Sequence, residues 1–177
     1  MLTLKIPRPS ELSYRARLLA DPATMAYNAG YALDAPGYNK ATGTLAFPPY
    51  RWARWAARWL GNAPLRYYAY LLDDGAPVGS VAFHYESARG YTLVEVLVEA
   101  RHRGKGYCAP ALRLLAREAF ETYGLEALYN DPPLSRTAAQ KGHARAGFVP
   151  VGESREGPLL CLTRQRYFET KAQWEAI

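Results

Sequence analysis

The 177-residue chain predicts one α/β domain of the α+β kind: a central mixed, mostly antiparallel twisted sheet of about six to seven strands, with helices on both faces. Three observations carry this. Apolar residues make up 49% of the chain and charged residues 21%, the balance of a globular domain with a sizeable core. Strand-like runs arrive first as hairpins and then alternate strand–helix–strand–helix–strand. No internal repeat, low-complexity tract or shift in composition marks a second domain.

The elements follow in order. Leu2–Ile6 alternates apolar and polar residues, as a first strand does. Ser10 is the expected N-cap of a helix through about Ala20, and Asp21-Pro22 restarts a second, short one. The stretch from Leu33 to Pro49 is rich in proline and glycine, without periodicity, and reads as a functional loop, a lid or a disordered segment. Tyr50–Leu60 is helical by pattern, with Trp52, Trp55 and Trp59 on one face and Arg51, Arg54 and Arg58 beside them. The favoured reading is an inward aromatic stripe with a solvated basic flank. Base stacking and membrane-surface binding are the alternatives.

Leu65–Leu72 and Val78–Glu86 read as strands joined by the loop Asp73-Asp74-Gly75-Ala76-Pro77. Gly90 turns the chain into a third run, Tyr91–Val98, and a helix is expected from Tyr107 to Tyr123. Leu125–Asn130 is another strand, Pro132-Pro133 breaks the chain, and Ser135 is the expected cap of a helix to Ala146. Gly147 suits the position after that helix. Phe148–Val151 and Leu159–Thr163 close the sheet around the Gly152–Gly157 turn, and a polar helical tail follows Arg164.

The formal charge of +6 favours an anionic partner without choosing among cofactor, acidic substrate and nucleic acid. Two cysteines and three histidines show no metal-ligand spacing, so no metal site is expected. With no signal-like N-terminus and no long apolar run, a cytoplasmic protein with no membrane partner is the default expectation.

The richest stretch is Arg101-His-Arg-Gly-Lys-Gly-Tyr107, a turn between the strand ending at Val98 and the helix opening at Tyr107. Such a turn gathers unpaired N–H groups at the positive end of a helix, where an anion is favoured. Gly104 and Gly106 let the main chain approach a phosphate closely, and Arg101, Arg103 and Lys105 add positive charge. The segment Gly104–Ala109 also fits the dinucleotide fingerprint G-x-G-x-x-A, with Glu126 twenty residues beyond Gly106 as a ribose-binding acid. Its mid-chain position after a hairpin and its crowd of basic residues count against a nicotinamide-dependent oxidoreductase. A Walker loop fails on spacing.

Arg101, Gly104 and Gly106 fill the pattern Q/R-x-x-G-x-G/A, and this segment resembles the central motif of the GNAT superfamily of N-acetyltransferases. Arg136-Thr-Ala-Ala-Gln-Lys-Gly-His-Ala-Arg-Ala-Gly147-Phe148 is similar to the family's later helix, which ends in x-G-F before a strand. The resemblance runs from about Leu65 to Thr163, leaving residues 1–64 as a variable, acceptor-side region.

The resemblance implies acetyl-CoA as co-substrate and acetyl transfer to an amine, either a small molecule or a peptide. It implies pyrophosphate contacts from Arg103, Gly104, Lys105, Gly106, Tyr107 and Cys108, and main-chain contacts to pantetheine from Leu97 and Val98. An N–H near Val98 then faces the thioester oxygen, an effect typically worth about 3–4 kcal/mol. Glu95, a lone acid in an apolar strand, is the candidate base, with a solvent-facing or ion-paired carboxylate as the alternative. Glu99 reads as an ion-pair partner of the turn's arginines.

His143 stands where many family members carry a tyrosine that protonates the leaving thiolate, and it is the candidate acid; a packed histidine is the alternative. Arg136 replaces a common asparagine and suggests a charge aimed at a CoA phosphate, while Asn130 is a weaker cofactor contact. Cys108, at the start of a helix, is expected to have a lowered thiol pKa, but reads foremost as a small packing residue. Tyr27, Asn28, Tyr31, Tyr38, Tyr50, Trp55, His84 and Tyr85 form an expected aromatic acceptor wall. A nucleic-acid-binding module and a CoA-binding regulator without catalysis are the competing functions, and a homodimer stays open.

Overall fold

The computed structural model describes residues 1–175 and builds one 7-stranded sheet. Its strands are β1 (Leu2–Lys5), β2 (Arg66–Asp73), β3 (Ala76–Glu86), β4 (Tyr91–Val98), β5 (Ala127–Asn130), β6 (Val149–Glu153) and β7 (Pro158–Thr163). They lie in the order β1-β2-β3-β4-β5-β7-β6, antiparallel throughout except for the β4–β5 pair. The helices are α1 (Ser13–Ala20), α2 (Pro22–Met25), α3 (Trp52–Trp59), α4 (Cys108–Arg117), α5 (Thr137–Arg145) and α6 (Arg164–Glu175).

The first hairpin is tighter than its sequence suggested. Asp73 pairs with Ala76 across a two-residue Asp74-Gly75 turn, both residues having positive φ, as a type I′ turn requires. Pro77 therefore lies inside β3, beside a bulge after Leu71, where a residue without an N–H is tolerated.

Alternation along β2 divides the core. Tyr67, Ala69 and Leu71 face α4, the turn that follows it and α6, where Leu112, Leu115, Phe120 and Tyr167 are buried. Tyr68 and Tyr70 face the other way, under Tyr14 and Leu18 of α1 and Trp55 and Trp59 of α3. Each fully buried leucine contributes about 1.5–3 kcal/mol. The aromatic stripe of α3 turns inward as expected, with Trp55 edge-on to Tyr68 at 5.0 Å, while Arg54 and Arg58 stay exposed.

Several ends differ from expectation. Ser10 sits in a 3-10 turn, Pro9–Glu11, and α1 begins only at Ser13. Asp21 does cap α2, accepting from the Ala23 and Thr24 amides. Ser135 is not the cap of α5: Arg136 occupies that place with no side-chain cap bond, and the helix starts at Thr137. Helix α4 passes into a π-helical turn, Glu118–Thr122.

The 33–49 stretch is a packed loop. Tyr38 Oη lies 2.6 and 2.9 Å from the Asn28 and Tyr31 carbonyls, which share its single proton, and the Leu45 amide donates to the Leu19 carbonyl at 2.9 Å. A side chain at Gly43 would collide with the Met25 carbonyl and lie 2.8 Å from the Ala29 nitrogen, so the loop lies directly on the end of α2.

Candidate active site

The site begins where the sheet parts. Strand β4 meets β5 at a single register pair, Leu93 with Tyr129, and then diverges from it. On its other side β4 stays paired with β3 as far as Val98, and the Glu99 amide donates to the Val78 carbonyl at 3.0 Å. Antiparallel alternation then gives the N–H and C=O of Leu97 and Glu95 to β3, and turns those of Val96 and Val98 toward the gap. This corrects the expectation for Leu97, whose main chain is already paired with Ser80. The open edge belongs to Val96 and to the Val98 N–H, since the Val98 carbonyl accepts from Arg103 Nε at 3.3 Å.

A cleft of about 800 Å³ occupies the gap, lined by Val94–Val98, Gly104, Gly106, Tyr107, Cys108, Asn130 and Arg136 among others. At one end lies the glycine turn. Gly104 and Gly106 have φ of 79° and 78°, the left-handed region that favours glycine. Among the described residues the amides of Gly104, Lys105 and Gly106 have no protein partner, and α4 starts behind them without a side-chain cap. Exposed amides, a helix N-terminus and the exposed Lys105 fit a pyrophosphate.

Two of the turn's side chains have other employment. Arg103 Nη1 and Nη2 donate to the Ala23 and Thr24 carbonyls at 3.1 and 2.6 Å, so this guanidinium anchors α2 to the end of β4 and is not the expected phosphate ligand. Tyr107 Oη donates to Asp73 at 2.6 Å, leaving only its main chain for the cofactor. Arg101 pairs with Glu99 at 2.7 Å, as expected.

The far wall of the cleft comes from β5 and α5. His143 is 3% exposed; its Nδ1 donates to the Ala139 carbonyl and its Nε2 accepts from Asn130 Nδ2, both at 2.8 Å. Burial lowers its pKa below the ordinary histidine value. A neutral ring with both nitrogens bonded has no proton aimed at the cleft, which speaks against the expected acid and for a packed, positioning histidine. Asn130 is likewise committed to His143 and, through Oδ1, to the Asp131 amide. Arg136 does not point at a phosphate: Nη2 donates to the Tyr27 carbonyl at 2.6 Å and the guanidinium lies 4.8 Å over the Tyr27 ring.

Cys108 corrects a further expectation. Burial raises its thiol pKa above the ordinary cysteine value. The thiol faces Gly142 of α5, where an added Cβ would stand 3.0 Å from Cys108 Cβ and closer still to Sγ. It is the small packing residue the sequence suggested.

Glu95 also lines the cleft. Its side chain is 62% exposed, and Oε1 lies 3.6 Å from Nδ1 of His84, which is backed by the Trp59 ring at 5.8 Å. Among the described residues that line the cleft, Glu95 is the one carboxylate. Of the expected aromatic wall, Tyr27 and Asn28 line this cleft and Tyr31 an adjoining one of about 340 Å³. Tyr38 holds the 33–49 loop, Trp55 packs on Tyr68, and Tyr50 and Tyr85 are 79% and 43% exposed. Arg15 and Tyr68 also line the cleft. Nothing in the sequence separates Arg15 from its neighbours Arg8 and Arg17, so its place was legible only in three dimensions.

A parallel strand pair that parts beside a glycine turn leaves one strand edge open along a cleft that fits an extended, phosphorylated molecule. The chain belongs to the acetyltransferase (GNAT) family, whose sequence profile matches residues 30–148. It is an N-acetyltransferase with acetyl-CoA as co-substrate. No curated protein matches it by sequence.

Solved structures share its fold. Aminoglycoside acetyltransferase AAC(6')-Ib in complex with ribostamycin and coenzyme A aligns with a TM-score of 0.72 at 19% identity, covering 96% of this chain and 97% of that one. The Vibrio cholerae spermidine N-acetyltransferase with CoA and spermine gives 0.70 at 13% identity, covering 94% and 98%. Apo FdhC, a nucleotide-linked sugar GNAT, gives 0.70 at 16% identity, covering 98% and 93%. Among the described residues no helix is long and apolar enough to cross a membrane.

Proposed function

We propose that the acceptor is a small-molecule primary amine, acetylated by direct attack within a ternary complex, with Glu95 as the group that takes the amine's proton. The observation that carries this reading is the position of Glu95, the lone carboxylate of a cleft whose other wall is the open edge of the same strand.

Acetyl-CoA supplies an activated acyl thioester. The amides of Gly104, Lys105 and Gly106 and the charge of Lys105 would hold its pyrophosphate, and the Val96 main chain would pair with its pantetheine arm. The Val98 N–H would donate to the acyl oxygen as negative charge grows there. An alkylamine with a pKa of about 10.4 arrives protonated at neutral pH. Glu95 accepts one ammonium proton, directly or through a water, with His84 Nδ1 3.6 Å behind it. The nitrogen lone pair then forms the C–N bond as the C–S bond breaks; of the two protons left on nitrogen one ends on sulfur and the other stays as the amide N–H. Amine and thioester thus become amide and thiol.

A thermal-shift series with acetyl-CoA, NADP and a short oligonucleotide tests cofactor choice, and thiol release across an amine panel tests catalysis. Ligand at about 100 times its Kd stabilises by about 2.7 kcal/mol. A response to acetyl-CoA together with thiol release by small amines is expected. A shift with no release from any amine would leave a CoA-binding regulator, and release only with peptide amines would reassign the acceptor.

A further inference from the structure

The acceptor side of the cleft holds a cation that the transfer chemistry does not use. Arg15 of α1 lines it, with its guanidinium stacked among three aromatic rings: 4.3 Å over Trp55, 4.8 Å over Tyr68 and 5.3 Å over Phe47. Rings on this scale hold a guanidinium by cation–π attraction and fix its direction. They do not neutralise it.

Among the described residues the Arg15 side chain makes no ion pair and donates no hydrogen bond, and its Nε is sealed from solvent without an acceptor. The other guanidiniums of the cleft differ. Arg103 and Arg136 are tied to main-chain carbonyls, and Arg145 is exposed. A partly buried, unpaired positive charge is costly until an anion meets it. Arg15 and Glu95 also act on one common group. The Tyr27 phenol is raised above its ordinary value first by desolvation and then by Glu95, with Arg136 and Arg15 pulling it down. Arg15 and Glu95 line the same cleft.

We propose that Arg15 is the specificity determinant of the acceptor: it receives a carboxylate or phosphate carried by the same small molecule whose amine is presented to Glu95. A guanidinium fork matches either oxyanion with two parallel hydrogen bonds. The aromatic clamp preorganises that fork, so little ordering remains when the ligand enters. A polycation has the opposite demand, needing several carboxylates where this cleft has one. The inference rests on the amine-acetylation reading and narrows it to zwitterionic or amino-phosphate acceptors.

The test uses the full chain and four amines of equal length: an ω-amino carboxylate, an ω-amino phosphate, a neutral ω-amino alcohol and an α,ω-diamine. Thiol release gives kcat and KM for each, and calorimetry measures the binding of each to the CoA-loaded protein. At least one anionic amine should show kcat/KM tenfold or more above the neutral alcohol, mainly through KM, with the diamine lowest. The two anionic arms decide between carboxylate and phosphate.

Arg15→Gln should bring the anionic-to-neutral ratio close to one while calorimetry shows acetyl-CoA affinity retained. Should that variant fail to fold, Arg15→Lys keeps a charge without the fork, and most of the preference should be lost. Equal or better use of the neutral amine or the diamine by the wild type overturns the inference, as does a preference that survives in Arg15→Gln. A protein that binds and turns over acetyl-CoA but prefers the diamine refutes only the role of Arg15. A protein without any response to acetyl-CoA removes the transferase reading and this one with it.

Discussion

Asn130 Nδ2 donates to His143 Nε2 across 2.8 Å, tying the end of β5 to the middle of α5. A carbonyl can only accept, so the Ala139 contact assigns the proton to Nδ1 and leaves Nε2 as the acceptor. This fixes His143 as neutral, and charging it would break the Asn130 bond inside a buried site. Its folded pKa lies below the unfolded value of about 6.5, so its contribution is whole above that pH and is lost as pH falls toward and through the folded value. Thermal unfolding followed from pH 8 to pH 5 should show midpoints that fall with acid, with a gentler fall in His143→Gln.

His143→Phe leaves the Asn130 amide without its partner, at a cost of about 1–3 kcal/mol. If the histidine only positions this wall, the pH dependence of kcat keeps its shape in the variant while KM for acetyl-CoA rises. A vanished basic limb in the kcat profile would instead restore His143 as an acid.

Glu95→Gln tests the base. The side chain is largely solvent-exposed, so stability should change by less than about 0.5 kcal/mol. Removal of a general base typically costs about 10²–10⁴ in rate, and kcat should fall within that range at neutral pH, with recovery as pH rises and more of the amine arrives neutral. His84→Phe, which leaves Glu95 without its neighbour at 3.6 Å, should have a milder effect of the same kind. Unchanged kcat in Glu95→Gln would assign proton removal to water alone.

Local signals made the frame of this protein readable in advance. The strand from Tyr91 to Val98 and the glycine turn are written in neighbouring residues, and the structure keeps them where the pattern put them. What the sequence concealed depends on partners far away in the chain. Arg103 looked like a phosphate ligand because it sits in a basic turn; its fork is drawn to carbonyls nearly 80 positions earlier, at the end of α2. Leu97 and Val98 are indistinguishable as sequence, and only pairing with Ser80 and Gly79 decides which main chain stays open. Arg15 becomes visible as a site residue only once Phe47, Trp55 and Tyr68 close around it.

Substitution of the turn glycines separates backbone strain from steric crowding. A Cβ at Gly104 or Gly106 would meet no protein atom within 4 Å, so any loss comes from holding an L-residue at positive φ and from the space left to a phosphate. Gly104→Val should lower stability by about 1–3 kcal/mol and should weaken acetyl-CoA binding at least tenfold by calorimetry. Gly104→Asn, which tolerates that region better, should recover most of the stability but less of the binding. Full recovery of both would mean that the turn needs only its backbone shape.

The contact between α4 and α5 holds the two halves of the split sheet together. Gly142 lets α5 lie against Cys108 at the first turn of α4, and an added methyl would stand 3.0 Å from Cys108 Cβ. Neither helix can retreat freely, since α4 is anchored by Leu112 and Leu115 in the core and α5 by the buried His143. Gly142→Ala should therefore destabilise by overpacking, about 1–3 kcal/mol, despite the higher helix propensity of alanine. Cys108→Ala alone should cost little, because it removes only a sulfur from a position that lines the cleft. The double variant Cys108→Ala, Gly142→Ala should be more stable than Gly142→Ala, with a coupling of at least about 0.5 kcal/mol in denaturant titrations. Strictly additive effects would show that the helices already have room to separate, and would loosen the link between the glycine turn on α4 and the cleft wall on α5.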